Sequence, residues 1–406
     1  MVPAIIGAVF GVLLFCVILF FTYPWKIHPS SEYREADYEL PGNDPAVPSL
    51  KDTFRDRFLI GTAITTKQVD DPETAKLIVK NFNIVTAEYQ MKPIFLNPEP
   101  GVFDFRDADR IVDFCLANGI LVHGHTLNWY MQVPEWWFKG SGKDGEATKE
   151  ELLDRMHTYI TTVVSHYKGK VYEWDVVNEA IEDNGKPREN GYYKILGDSE
   201  NGWFDYLRKC FIWAREADPD VRLMYNEFHN EYALRKARVQ YRMLETLMKE
   251  GVKVDGVGYQ MHLENYPWPS RLLAEWEMKK CLRLRKYNPK FTISVTEMDQ
   301  SVWSPSERKK LKKNDFQTDR KITARSAEKI ARRWAEFFEL YRRAGVSSVA
   351  VWGVDDGMSW INTKTKKDYA LLFDRKLIPK PEFYAVLNPK HANKAAKSFE
   401  KRYKEE

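Results

Sequence analysis

From Arg57 onward, eight short runs rich in β-branched and aromatic residues each precede a stretch with helical spacing, and that alternation leaves few folds open. The strand candidates are 58–65, 84–88, 121–129, 171–179, 222–227, 256–262, 291–299 and 346–355. Helix candidates such as 152–167 and Leu234–Lys249 lie between them. In the latter, Leu234, Ala237, Tyr241, Leu244 and Met248 recur at spacings of 3, 4, 3 and 4, which is one helix face. Eight strand–helix units in roughly 330 residues predict an α/β fold of the (β/α)8 barrel type. A doubly wound open sheet is the alternative. It would carry a Gly-rich phosphate turn after an early strand, and Gly61-Thr62-Ala63 is not one.

Composition narrows the function classes. Lys and Arg (62) nearly balance Asp and Glu (58), a net charge of +4 over 406 residues, so nucleic acid is not expected as a partner. The aromatics (13 Trp, 21 Tyr, 22 Phe) suit both core packing and stacking on sugar rings. Cys115, Cys210 and Cys281 form no C-x-x-C pair, and half-buried free thiols are expected rather than a zinc site. Residues 2–21 are apolar and uncharged, about the length a spanning helix needs. No Lys or Arg precedes them and Thr22-Tyr23-Pro24-Trp25 offers no cleavage site, so an uncleaved signal-anchor helix is favoured over a signal peptide. Cys16 lacks the small residues a lipidation site would want before it, and Lys26 speaks only weakly to orientation.

The expected organisation is a hydrophobic anchor or signal segment at 1–23, a linker at 24–50 with 29–50 as a tether, a catalytic domain at 51–390 and a basic, frayed tail at 391–406. The expected setting is extracellular or cell-surface, anchored in the membrane by residues 2–22, or secreted if that segment is cleaved. Residues 303–325 read as a charged loop after the seventh strand.

Barrel enzymes carry their functional groups at the C-terminal ends of strands. Here strand after strand ends in polar residues: Glu88; His125 and Trp129; Asn178-Glu179; Asn226-Glu227; Gln260 and His262; Glu297 and Asp299; then Trp352 and Asp355. One terminal carboxylate is a structural charge as often as not. So many converging on one rim are hard to explain by folding, because each must be desolvated and paired. Glu179 and Glu297 end the fourth and seventh strands, across the barrel mouth from one another. Opposed carboxyls, one neutral and one ionised, are what glycosidic bond cleavage requires.

The segments FNIVTAEYQMKP (82–93), HGHTLNWYMQVPEW (123–136), WDVVNEAIED (174–183), GVGYQMHL (256–263), ISVTEMD (293–299) and VWGVDDGMSW (351–360) together resemble glycoside hydrolase family 10, the endo-β-1,4-xylanases. The resemblance spans about residues 55–390. It implies a retaining double displacement on xylan, with Glu179 as general acid/base and Glu297 as nucleophile, their carboxyls about 5–5.5 Å apart. It further implies that Asn178, His262 and Asp299 support the carboxylates. Glu88, Lys92, His125, Trp129, Gln260, Trp352 and Trp360 would bind substrate. No metal or cofactor and a monomeric catalytic domain are expected. Two positions depart from the family: Tyr89 stands where an Asn usually follows the Glu, and Tyr130 where a His usually follows the Trp. Both bear on the glycone subsites.

Two other readings compete. His123-Gly124-His125 resembles the H-x-H pair of metal-dependent barrel hydrolases, which His262 and Asp355 could complete. A non-catalytic carbohydrate-binding barrel is the other, and it predicts the loss of one catalytic carboxylate.

Overall fold

The computed structural model describes residues 37–405 apart from 198, 266–269, 312–321 and 364–365. Its strands are β1 (Leu59–Ile64), β2 (Ile84–Ala87), β3 (Leu121–Asn128), β4 (Glu173–Asn178), β5 (Arg222–Glu227), β6 (Gly256–Tyr259), β7 (His262–Leu263), β8 (Thr292–Gln300) and β9 (Ser348–Val351). All their pairings are parallel. The order runs from β6 down to β1 and on to β9 and β8, and β6 also pairs with β8, which closes the sheet into a barrel. Two-residue β7 is an extension beyond β6. It sets His262 opposite Asp299 of β8.

The staves are buried on both faces because one faces the barrel interior and the other the helix layer. Gly124 shows how tightly they fit: a Cβ there would come within 2.2 Å of the Trp174 ring. Among the helices, Leu234–Lys249 spans the stretch its periodicity predicts. The helix expected at 152–167 begins earlier, at Lys149, because Thr148 and Glu151 form a reciprocal capping box, an arrangement that stabilises by about 1 kcal/mol.

Several expectations need correction. Of the stretch read as a tether, residues 37–50 pack on the barrel: Tyr38 meets the Tyr384 ring edge-on at 4.8 Å, Gly42 N donates to Leu377 O at 2.8 Å, and Val47 and Leu50 are buried. The lysine-rich tail is helical over Ala392–Glu405, and its Ala395, Ala396 and Phe399 are buried. That stripe keeps a helical period among the lysines. Cys115, Cys210 and Cys281 are free, but fully buried rather than half-buried. The charged loop contains a helix, Pro305–Leu311, and its 312–321 stretch lies outside the described residues. So does the expected anchor. Among the described residues no helix is long and apolar enough to cross a membrane.

Candidate active site

Glu179 directly follows β4 and takes a left-handed backbone conformation, φ 58°. Its amide donates to the Asn226 carbonyl of β5 at 3.0 Å. The carboxyl Oε1 accepts from Gln260 Nε2 at 2.8 Å and from Asn178 Nδ2 at 3.2 Å. Glu297 lies within β8, its amide bonded to Gln260 O. Its Oε1 accepts from Asn226 Nδ2 at 2.7 Å, and its Oε2 lies 3.2 Å from His262 Nε2. Asn226 Nδ2 also reaches Asn178 Oδ1 at 3.1 Å, so amides from β4, β5 and the end of β6 tie the two carboxylates into one network. Gly258 makes room for it, since a Cβ there would stand 2.1 Å from Asn226 Oδ1.

Electrostatics separate the members of this network. His262 Nδ1 lies 2.9 Å from Asp299 Oδ2, which also accepts from Trp360 Nε1 at 2.8 Å. Burial opposes charge on His262, but Asp299 and Glu297 outweigh it and hold the imidazole pKa well above its ordinary value. Burial likewise pushes Glu297 up. The His262 hydrogen bond and the charges of His125 and His262 overcome it, leaving Glu297 below the usual carboxylate range. Burial lowers the Lys92 ammonium, against the pull of Glu297, Glu88 and Glu179, and burial raises Glu88 against the pull of Lys92.

These groups border a cleft of about 890 Å³. Each residue that the family resemblance assigns to catalysis, support or substrate binding lines it: Glu179 and Glu297, Asn178, His262 and Asp299, and the set from Glu88, Lys92, His125 and Trp129 to Gln260, Trp352 and Trp360. Lys92 Nζ stands 4.7 Å from the Trp129 ring centre and 5.9 Å from that of Trp352. Trp360, 54% exposed, closes over His262 at 5.1 Å. Tyr89 is also on the wall, whereas the Tyr130 ring lies over the Arg188 guanidinium at 4.6 Å.

The proposed metal pair does not assemble. His123 points its ring nitrogens at Glu173 (2.9 Å) and Asp175 (2.8 Å), and His125 Nδ1 lies 2.8 Å from the same Asp175 oxygen. Among the described residues no group of His, Cys, Asp or Glu is arranged to hold a metal ion. Asp355 is occupied with the amide of Gly357. Sequence reasoning missed the bridging role of Asn226, although its place at a strand end was a signal. It also missed Phe228, His229 and Tyr232, which line the cleft from the loop after β5, and Arg188, whose Nε donates to the Glu179 carbonyl at 2.8 Å.

Known proteins resemble this chain in sequence and in fold. The description "Glycosyl hydrolase family 10" matches residues 49–389. A "Beta-1,4-xylanase" of Dictyoglomus thermophilum is 36% identical over 84% of this chain and 91% of its own length. "Endo-1,4-beta-xylanase A" of Thermoanaerobacterium saccharolyticum is 35% identical over 85% of this chain, which spans only 28% of that longer protein. The solved structure of a GH10 protein from Paenibacillus barcinonensis superposes with a TM-score of 0.77 at 34% identity, covering 85% of this chain and 98% of the other. An E146A mutant of the intracellular xylanase TsXylA, from the same Thermoanaerobacterium species and solved with xylotriose, gives 0.72 at 32% identity, covering 84% and 99%.

Proposed function

The chain belongs to glycoside hydrolase family 10, and from that premise we propose that it hydrolyses internal β-1,4-xylosidic bonds of xylan with retention of anomeric configuration. The observation that carries the reading is the pair Glu179 and Glu297, held in one amide network on a cleft that Trp129, Trp352 and Trp360 also line. The names of the relatives, and the xylotriose held by one of them, point to the same substrate class.

In the first step Glu297 attacks the anomeric carbon while Glu179 gives its proton to the departing glycosidic oxygen, leaving a xylosyl ester on Glu297. In the second, Glu179 takes a proton from water, which attacks the same carbon from the side the leaving group vacated and frees Glu297. The His262–Asp299 pair keeps Glu297 ionised for attack. Asn178 accepts from Asn226 and Gln260 through Oδ1, which orients its amide donor toward the acid/base and the sugar hydroxyl beside the reacting carbon. Lys92, between Glu88 and the two tryptophans, is placed to hold a glycone hydroxyl.

The test uses the products. Xylan, cellulose and mannan are incubated with the enzyme, and the first products are resolved by chromatography and NMR. Xylo-oligosaccharides from xylan alone, born in the β configuration, are expected; α-configured products or products from cellulose alone would overturn the proposal. The localisation is part of the same proposal: residues 2–21, an uncharged apolar run, would anchor the enzyme at the cell surface.

A further inference from the structure

The carboxyl of Glu179 is carried by a backbone that L-residues rarely adopt (φ 58°), so the turn holding it there is part of the machinery. That turn is clasped from two sides. From β5, Tyr225 OH accepts the Ala180 amide at 3.3 Å and Glu227 Oε2 accepts the Ile181 amide at 3.2 Å. From the other side comes Arg188. Its Nε donates to Glu179 O at 2.8 Å, its Nη2 to Ile181 O at 3.3 Å and its Nη1 to Glu182 Oε1 at 3.0 Å, while its own amide returns to Ala180 O at 2.9 Å. The side chain is 10% exposed, with the rings of Tyr130 and Phe228 4.6 and 5.3 Å from the guanidinium.

We infer that Arg188 is a positioning residue for the acid/base: it fixes the main chain of Glu179 so that the carboxyl meets the glycosidic oxygen, and Tyr130 shields the clasp. The inference rests on the reading of Glu179 as acid/base. Only a planar fork reaches two carbonyls and a carboxylate at once. Lysine would keep the charge and lose the geometry. It also gives Tyr130 a function: its phenol ring serves the acid/base turn.

A positioning role is separated from a general structural one by the leaving group. An alkoxide needs a proton from Glu179, whereas dinitrophenolate departs without one, and kcat/KM reports the first displacement only. Arg188→Lys and Arg188→Gln are expected to lose on the order of 10²-fold in kcat/KM on xylohexaose but less than about threefold on dinitrophenyl β-xylobioside. Tyr130→Leu, which keeps every hydrogen bond of the clasp, is expected to lose about fivefold on xylohexaose in the same sense. Glu179→Ala is the control. If it shows no difference between the two substrates, the assignment of Glu179 itself fails. If it does, but the Arg188 and Tyr130 variants lose equally on both substrates or on neither, Arg188 does not position the acid and the inference is overturned.

Discussion

Two clusters of histidine and carboxylate are built into this barrel from the same parts, and they differ in what lies above them. In the first, across β3 and β4, Asp175 Oδ2 faces both His123 and His125, and Glu173 faces His123 and, at 3.3 Å, Arg222. Asp175, Glu173 and both histidines are buried. In the second, His262 stands between Glu297 and Asp299 with its ring 21% exposed at the cleft. In the enclosed cluster the charges answer one another and protein satisfies protein, and of its members only His125 also borders the cleft. The open cluster leaves its carboxylate facing the place a substrate enters. The same chemistry is enclosed by protein in one setting and faces the cleft in the other, where the proposed mechanism makes Glu297 the nucleophile.

Replacing the central carboxylate in each cluster should break the comparison most sharply. Glu297→Gln is expected to lose on the order of 10⁴-fold or more in kcat on xylan, with its circular dichroism unchanged. Asp175→Asn is expected to lose about 3 kcal/mol in urea unfolding, because it takes from buried His123 and His125 the carboxylate they share. A stable Asp175→Asn that has lost turnover would merge the two clusters into one functional unit.

The pH dependence of folding follows from the enclosed cluster. Burial opposes charge on His123, but Asp175 and Glu173 win and push its pKa from 6.5 up to about 10. A raised folded pKa means that the native state holds the extra proton. This contribution to stability is therefore complete below pH 6.5 and is lost as pH climbs toward about 10. Urea midpoints measured between those limits should fall with pH in the wild type and stay flatter in His123→Gln.

His262→Asn tests the open cluster. Its hydrogen bond and charge keep Glu297 below the usual carboxylate range, so their loss lets burial raise that pKa. The acid limb of the kcat/KM profile should move up by about one pH unit, and kcat/KM at the optimum should fall on the order of 10²-fold. An unmoved acid limb would mean that His262 only fills space.

The open cluster was legible in the sequence and the enclosed one was not, for a physical reason. Glu179, Gln260, His262, Glu297 and Asp299 lie at or near the C-terminal ends of strands, where topology carries them to one rim. Asp175 sits inside the run Trp174-Asp175-Val176-Val177, and a strand's sequence does not say which interior partner a charge will meet. That silence let His123 and His125 be read as a metal pair. Arg188 was hidden by its loop, which must fold back over nine residues before its guanidinium meets the Glu179 carbonyl. The helix Ala392–Glu405 was masked by composition: Ala392, Ala395, Ala396 and Phe399 form a narrow stripe among lysines and carry little total hydrophobicity. The barrel, by contrast, was legible in eight strand–helix units together with the missing Gly-rich turn that an open doubly wound sheet would carry.

The smallest expected effect belongs to a residue outside both clusters. Tyr89 lines the cleft at the position where the family usually has Asn, and its ring tilts 41° against Phe95 at 5.3 Å. Phe95 is 42% exposed, so the pair adds apolar surface where the resemblance expects an amide for a sugar hydroxyl. Among the described residues no hydrogen bond of Glu179 or Glu297 runs through Tyr89, and the charge balance of the open cluster does not depend on it. Tyr89→Asn should therefore act on binding of the distal sugar and leave the chemistry alone: KM for xylotetraose lowered about threefold, kcat within about twofold, and no change for substrates too short to reach that wall. Steady-state kinetics on a ladder of xylo-oligosaccharides reads this directly. A fall in kcat that grows with chain length would show the distal wall acting on the carboxylates, and the boundary between binding surface and reactive cluster would have to move outward to include it.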